Sequence, residues 1–378
     1  MAVPGTLRAL NDAAVLALLI DRGPLTRPQI AEASGLSKPT ASQVLTRLTG
    51  LVTAEAAPSG KPGRNAEVYR VDPAAATAAA VDVTPKRTTA RIVLASGEVI
   101  GEHRVETREG GDVVHRLRAA ISGAGAEPDR LDHIVIGVPG AVDGTGRLAY
   151  AAHLPGWHRP RLLPWLSDAL GAEVTVENDV NLVAEAERTT TDEKDFALYW
   201  GADGIGAALV LDGRLRRGAC SGAGEIGYLP VPGAPTAREV GRTGVHGLQA
   251  IAGGAALARL LRSHGFPGPA AKAIRAALKH SAHPAQPVHP VIEEIAYRVA
   301  LGVAAVVAVV DPGLVVLSGH VVEAGGEPLR ARVETALHSL TLPRPAVRLS
   351  QVRDEPVLAG AVVLARSKTR ETLLARVS

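Results

Sequence analysis

"VDVTPKRTTARIVLASGEV", residues Val81 to Val99, reads as a strand, a turn at Thr84 to Arg87, and a second strand that closes in a hairpin at Ser96 and Gly97. An echo follows about 115 residues later at "FALYWGADGIGAALVLDGRLRRG", Phe196 to Gly218, with its own hairpin at Asp212 and Gly213. A unit that recurs at such spacing predicts two similar α/β lobes, their turns directed into a cleft suited to a phosphate donor and a small acceptor. The two turns differ in chemistry. A backbone nest for phosphate relies on glycines, which reach positive φ cheaply and let amide hydrogens approach the anion. The second turn, Gly201-Ala202-Asp203-Gly204-Ile205-Gly206, keeps its glycines but sets a carboxylate beside any phosphate. In the first turn Pro85 removes an amide donor and fixes φ, so the nest is damaged there.

The chain has 378 residues, 46% of them hydrophobic, enough for a large core divided among two or three domains. One cysteine, Cys220, excludes an internal disulfide and a thiolate zinc cluster. A secretory leader is not expected at the N-terminus, and the cytoplasm is the expected compartment. The longest apolar run, Val299 to Val310, falls short of the roughly 20 residues that a membrane span requires, and is read as a buried helix. A net charge of +3 advertises no nucleic acid partner globally.

Locally the picture differs. Leu7, Leu10, Ala14, Val15, Leu18 and Leu19 recur at helical spacing, and Gly23 and Pro24 end that helix. Thr26, Pro28 and Gln29 supply the cap, first-turn proline and capping box of a second helix, which Gly35 breaks. Ser37 caps a third, where Ala41, Val44, Leu45 and Leu48 form one apolar stripe and Pro39, Thr40, Ser42, Gln43 and Arg47 the other face. Two short helices joined by a tight turn have the form of a helix-turn-helix, and strands 51–54 and 68–71 around a Gly, Pro, Lys and Arg loop have the form of its wing. Arg22 to Arg70 carries seven basic and three acidic residues, a local net of +4. Ser37, Lys38, Pro39, Thr40, Ser42, Gln43 and Arg47, with Lys61 and Arg64 at the wing tip, are therefore the expected contacts to double-stranded DNA. A packing module that binds another protein is the competing reading.

Further motifs lie between and after the two hairpins. "IVIGVPGAVD" runs to Pro139 and Gly140, "VTVENDVNLVAEAER" places Asn178 and Asp179 where a strand meets a helix, and "GAGEIGY" contains Glu225. Taken in order, these motifs resemble the ROK family (repressor, open reading frame, kinase) over nearly the whole chain. The resemblance implies an α/β protein: an N-terminal winged helix-turn-helix followed by a two-lobed actin/hexokinase-like (ribonuclease H-like) ROK domain. The expected boundaries are 1–72 for the winged helix, 73–79 for a linker, 80–180 with a return at 355–378 for lobe one, and 181–354 for lobe two.

By the same resemblance, Asn178 and Asp179 match the pair that binds sugar hydroxyls, the aspartate being the general base of the kinases. Glu225 matches a sugar-contacting glutamate, Tyr228 replaces a histidine that is both sugar contact and metal ligand, and Gln249 stands in for a second glutamate. With Pro139 and Gly140 these form the expected effector set. The family's zinc cysteines are missing from "REVGRTGVHGLQAIAGG", so no metal is expected. His280, His283 and His289 fall in a Pro-rich stretch read as a solvated loop. Asp82 is kept at the first phosphate turn, and Gly319-His320 stands where relatives carry Gly-Gly near adenine. No cofactor and no catalytic residue are expected. A regulator, more specifically a repressor, that senses a sugar or sugar derivative is the leading reading, acting as a homodimer or homotetramer on a palindromic operator. A ROK sugar kinase and a regulator that binds no sugar are the alternatives.

Overall fold

The computed structural model describes residues 4–56, 67–107, 112–143, 146–149, 154–241, 244–280 and 289–377. The chain divides into two compact units, Met1–Leu182 with Val357–Ser378, and Val183–Pro356.

The first unit opens with helix α1 (Pro4–Arg22), strand β1 (Leu25–Thr26), α2 (Arg27–Ser34), α3 (Lys38–Arg47), β2 (Val52–Ala56) and β3 (Glu67–Val71). The strands form a small antiparallel sheet in the order β1-β3-β2. The capping box of Thr26 and Gln29 starts α2, and Gly35 in the left-handed region ends it through its amide bond to the Glu32 carbonyl. The stripe expected on the third helix is the one that turns inward: Ala41, Val44, Leu45 and Leu48 are buried with Val15, Leu16, Leu19, Ile20 and Ile30. The segment is a winged helix-turn-helix.

The rest of this unit comprises β4 (Thr77–Val83), β5 (Arg87–Leu94), β6 (Val99–Glu106), α4 (Val113–Gly123), β7 (His133–Val138), the short β8 (Ala141–Val142) and β9 (Leu148–Ala149), α5 (Leu162–Leu170), β10 (Glu173–Asn178) and the start of α6 (Asp179–Glu187). Its sheet has the order β10-β7-β4-β5-β6, parallel from β10 to β4 and antiparallel beyond. Strand periodicity explains the layering. On β4, Ala79, Val81 and Val83 face a core shared with α4 and α5, while Ala78 and Ala80 face the opposite layer. Both faces are covered, so β7 is apolar throughout apart from His133 and Gly137.

The second unit contains β11 (Phe196–Gly201), β12 (Ile205–Leu211), β13 (Arg214–Arg216), α7 (Ala237–Val240), α8 (Gly247–Ala252), α9 (Gly254–Ser263), α10 (Ala270–His280), α11 (Pro290–Val310), β14 (Leu314–Ser318), α12 (His320–Glu323), α13 (Gly326–Leu340) and β15 (Ala346–Leu349). Its sheet order is β13-β12-β11-β14-β15. The run from Val299 to Val310 is the second half of α11, which buries Val299, Ala300, Gly302, Val303 and Val307 against the sheet and α13. No helix among the described residues is long and apolar enough to cross a membrane. Helix α14 (Pro356–Ala375) returns the chain to the first unit.

Candidate functional site

The polar face of α3 is built from its cap outward. Ser37 lies in extended backbone, accepts a hydrogen bond from the Thr40 amide, and shares a 2.8 Å bond with the Thr40 hydroxyl. Lys38, Pro39 and Gln43 are exposed, and Thr40 and Ser42 are half-buried. Arg47 has a different situation from its neighbours. Its Nε and one terminal nitrogen donate to the two carboxylate oxygens of Asp12 on α1, at 2.9 and 2.5 Å. This bond raises the Arg47 pKa further, and it ties α1 to the end of α3. The sequence pattern exposes Arg47 as a base reader, but the fold engages its Nε edge in a clamp. Asp12, 35 residues away in sequence, carried no local signal for this.

The described strands beside the wing are held by ion pairs in the same way. Arg27 donates from Nε to the Tyr69 hydroxyl and from a terminal nitrogen to Glu67, and the Tyr69 hydroxyl donates to Glu67 at 2.6 Å. Arg70 pairs with Glu55 across β2 and β3. The expected wing-tip residues Lys61 and Arg64 lie outside the described residues.

In the first unit, Pro139, Gly140, Asn178 and Asp179 come together where β7 and β10 end side by side. The Asn178 side chain donates to the Gly140 carbonyl at 3.1 Å and accepts from the Asn181 amide, so it pins the loop after β7 to the first turn of α6. Glu177, buried beneath, accepts from the Asn178 amide and the Asn181 side chain. Asp179 begins α6 and accepts from the Val180 amide, which places a carboxylate at the positive end of the helix.

The turn from β4 to β5 closes on itself. The Thr84 hydroxyl oxygen accepts from the amides of Lys86 and Arg87 at 3.3 and 3.0 Å, and the Thr84 amide donates to the Arg87 carbonyl. Pro85 has no amide hydrogen. The donors that a phosphate nest requires are thus absent or already bound. Asp82 is buried at the end of β4.

In the second unit, Glu225, Tyr228 and Gln249 gather around the start of β12. Burial raises the Glu225 carboxyl above its ordinary value. Tyr228 is 47% exposed, and its ring lies 5.4 Å from that of His246, which is itself buried and bonded to the Gly244 carbonyl. Gln249 is a strut: its side-chain oxygen accepts from the Ile205 amide and its nitrogen donates to the Asp203 carbonyl, both at 2.9 Å. It holds the second glycine turn in place with both ends of its amide. The Asp203 carboxylate above that turn is exposed, with His320 at 3.9 Å. Gly319, at φ 99°, leaves no room for a Cβ against the Gly201 backbone.

The histidine stretch needs a correction. His280 ends α10, and His289 caps α11 by accepting from the Val291 amide, so neither is in a free loop. Both contact Phe266, and His264 joins His289 edge-on at 5.5 Å. His283 lies outside the described residues, and among those described no cluster has metal-binding geometry.

Two sheets of this order, the Asn-Asp pair at the head of α6 and the Gly-Glu-Ile-Gly sequence leading into Tyr228 define a sugar-kinase-derived fold carrying a winged helix. The ROK family pattern matches residues 78–368, and the chain belongs to that family. Over 388 residues it is 24% identical to a putative xylose repressor from Caldicellulosiruptor sp. (strain Rt8B.4), covering 95% of this chain and 96% of that one. It is 28% identical over 296 residues to the bifunctional enzyme NanE/NanK of Brucella suis, covering 76% of this chain. The match takes in 52% of that enzyme, so the chain spans about half the length of such bifunctional relatives. A crystal structure described as a ROK family transcriptional regulator, homologue of the Escherichia coli MLC protein, superposes with a TM-score of 0.74 at 21% identity, covering 98% of this chain and 99% of that one. The fold therefore extends through the winged helix.

Proposed function

We propose that this protein is a sequence-specific DNA-binding transcriptional regulator, a repressor, whose kinase-derived residues sense a sugar or sugar-like effector without phosphorylating it. The observation that carries the reading is the turn from Thr84 to Arg87. Phosphoryl transfer rests on positioning and neutralising the transferred group, and a turn whose amides are held by Thr84 offers it neither. Asp179 then serves as a hydrogen-bond acceptor and not as a general base. Full-length similarity to a putative xylose repressor supports the same reading.

Ser37, Lys38, Pro39, Thr40, Ser42 and Gln43 face the duplex, with Lys61 and Arg64 of the wing in the adjacent minor groove. Arg47 acts through its clamp. Pro139, Gly140, Asn178, Asp179, Glu225 and Tyr228 contact the effector, and Gln249 supports the loop beside them. A homodimer or homotetramer in the cytoplasm would present paired winged helices to a palindromic operator. Effector release requires different affinities for the two states of the protein, about 5.5 kcal/mol for near-complete reversal.

The kinase reading has its own support in the retained glycines 201, 204 and 206 and in the kinase relatives. An ADP-release assay with ATP and a panel of hexoses, pentoses and N-acetylhexosamines separates the two. The regulator gives no sugar-dependent turnover, and its DNA affinity changes with one member of the panel; sustained turnover would discard this function.

A further inference from the structure

Helix α14 packs both on α6, one turn beyond Asp179, and on the winged helix. Near its start it crosses α6 with no clearance: a Cβ on Gly360 would collide with the Leu182 carbonyl oxygen. A Cβ on Gly137 of β7 would stand 2.6 Å from Leu182 and 3.0 Å from Val357. Leu358, Ala361 and Ala365 are fully buried in the same layer as Leu182. Leu182 is one turn beyond Asp179, and Gly137 is two residues before Pro139. Both candidate effector segments therefore rest on backbone that is interlocked with α14.

At its other end α14 enters the winged-helix core. Leu373 is fully buried with Val15, Leu16, Leu19 and Ala75. Arg370 forms a two-pronged ion pair with Asp21 on α1, and Arg376 bonds the Ala75 carbonyl and the Asp132 carboxylate. The Asp132 carboxylate in turn accepts from the Thr77 amide, where β4 begins. The winged helix is thus bolted to its neighbour and not swung on a free linker. From Gly360 to Arg370 is ten residues, about 15 Å of continuous helix.

We propose that α14 is the relay between effector and DNA, with Leu182 and Gly360 as its input contact and Arg370, Arg376 and Leu373 as its output. A displacement of the α6 head shifts α14 as a rigid rod, since a crossing without clearance cannot absorb it locally. The output contacts carry that shift to α1 and hence to the spacing of paired recognition helices. The relay rests on the function proposed above, so its test has one arm that needs neither DNA nor effector.

In the full chain, Leu182→Ala empties the input contact. Hydrogen exchange should then accelerate about tenfold in residues 370–377 and 15–22 as well as around the crossing. Acceleration confined to the sheet and α6 would overturn the relay. Val357→Ala, which trims the same crossing, takes its place if Leu182→Ala does not fold. The second arm measures affinity for a duplex selected from a random pool, for Leu182→Ala, Arg370→Ala and the double variant. Sites this far apart ordinarily combine multiplicatively, whereas a relay predicts a coupling of at least about fivefold. Multiplying effects would refute transmission to DNA. If exchange spreads along α14 but the wild-type chain selects no duplex, the coupling of α6 to the winged helix stands, while the DNA-binding function and with it the relay's output to DNA fall.

Discussion

Salt offers an informative perturbation of the proposed DNA complex, because the structure shows which cations of the winged helix are already held in ion pairs. Between Arg22 and Arg70 there are seven basic residues. Arg27 is paired with Glu67, Arg47 with Asp12 and Arg70 with Glu55. Arg22 and Lys38 form no ion pair among the described residues, and the proposed wing contacts Lys61 and Arg64, which lie outside them, bring the phosphate contacts taken from this segment to four per winged helix. Each neutralised phosphate lowers the slope of log K against log salt by about 0.9, so two winged helices on one operator give a slope of about −7. All fourteen basic residues of two Arg22–Arg70 segments together would give about −13. Fluorescence anisotropy on a selected duplex from 50 to 300 mM salt measures the slope, and Lys38→Gln should reduce its magnitude by about 2 in a dimer. Asp12→Asn should leave the slope unchanged or steepen it, because it releases Arg47. A wild-type slope near −13, or a shallower slope in Asp12→Asn, would refute the assignment of Arg47 to its clamp.

Three further outcomes follow from the same structure. Asp12→Ala should destabilise the winged helix by about 1 kcal/mol, the upper end for an exposed pair because the geometry is two-pronged; a melting curve identical to wild type would contradict the clamp. Glu187 is fully buried, accepts from the Ser350 hydroxyl and the Gln351 and Val352 amides, and pairs with Arg348. Removing it by Glu187→Ala should cost about 3–5 kcal/mol in chemical denaturation, and a loss below 1 kcal/mol would show that water replaces it. Because burial raises the folded-state pKa of Glu225, its contribution to stability is full below its unfolded pKa of 4.5 and is lost as pH rises through the folded value. Glu225→Gln should therefore stabilise the second unit at neutral pH and remove that slope, which thermal scans from pH 4 to 8 can follow.

Local chemistry made the winged helix legible. Thr26 with Gln29, Gly35 and Ser37 are caps whose partners lie within three or four residues, and the Ala41 to Leu48 stripe declares its buried face by spacing alone. The damaged phosphate turn was equally readable, since Pro85 cannot donate wherever it sits; that Thr84 would capture the next two amides needed the turn's geometry. Long-range partners were not readable. Asp12 and Arg47 are 35 residues apart, and Arg370 and Asp21 are 349 apart. The family resemblance puts Gln249 where a sugar-contacting glutamate is expected, and its amide spans two backbone groups of the glycine turn. His289 illustrates the opposite error, since a Pro-rich neighbourhood suggested a loop where His289 and Pro290 begin a helix of 21 residues.

The central claim is tested most directly by selecting duplexes from a random pool with the full chain and comparing affinity for the winner with that for a shuffled sequence at one salt concentration. A two-fold symmetric site bound about 10³-fold or more tighter than its shuffled counterpart is the predicted result. A chain that enriches no sequence, or binds both duplexes equally, would contradict it.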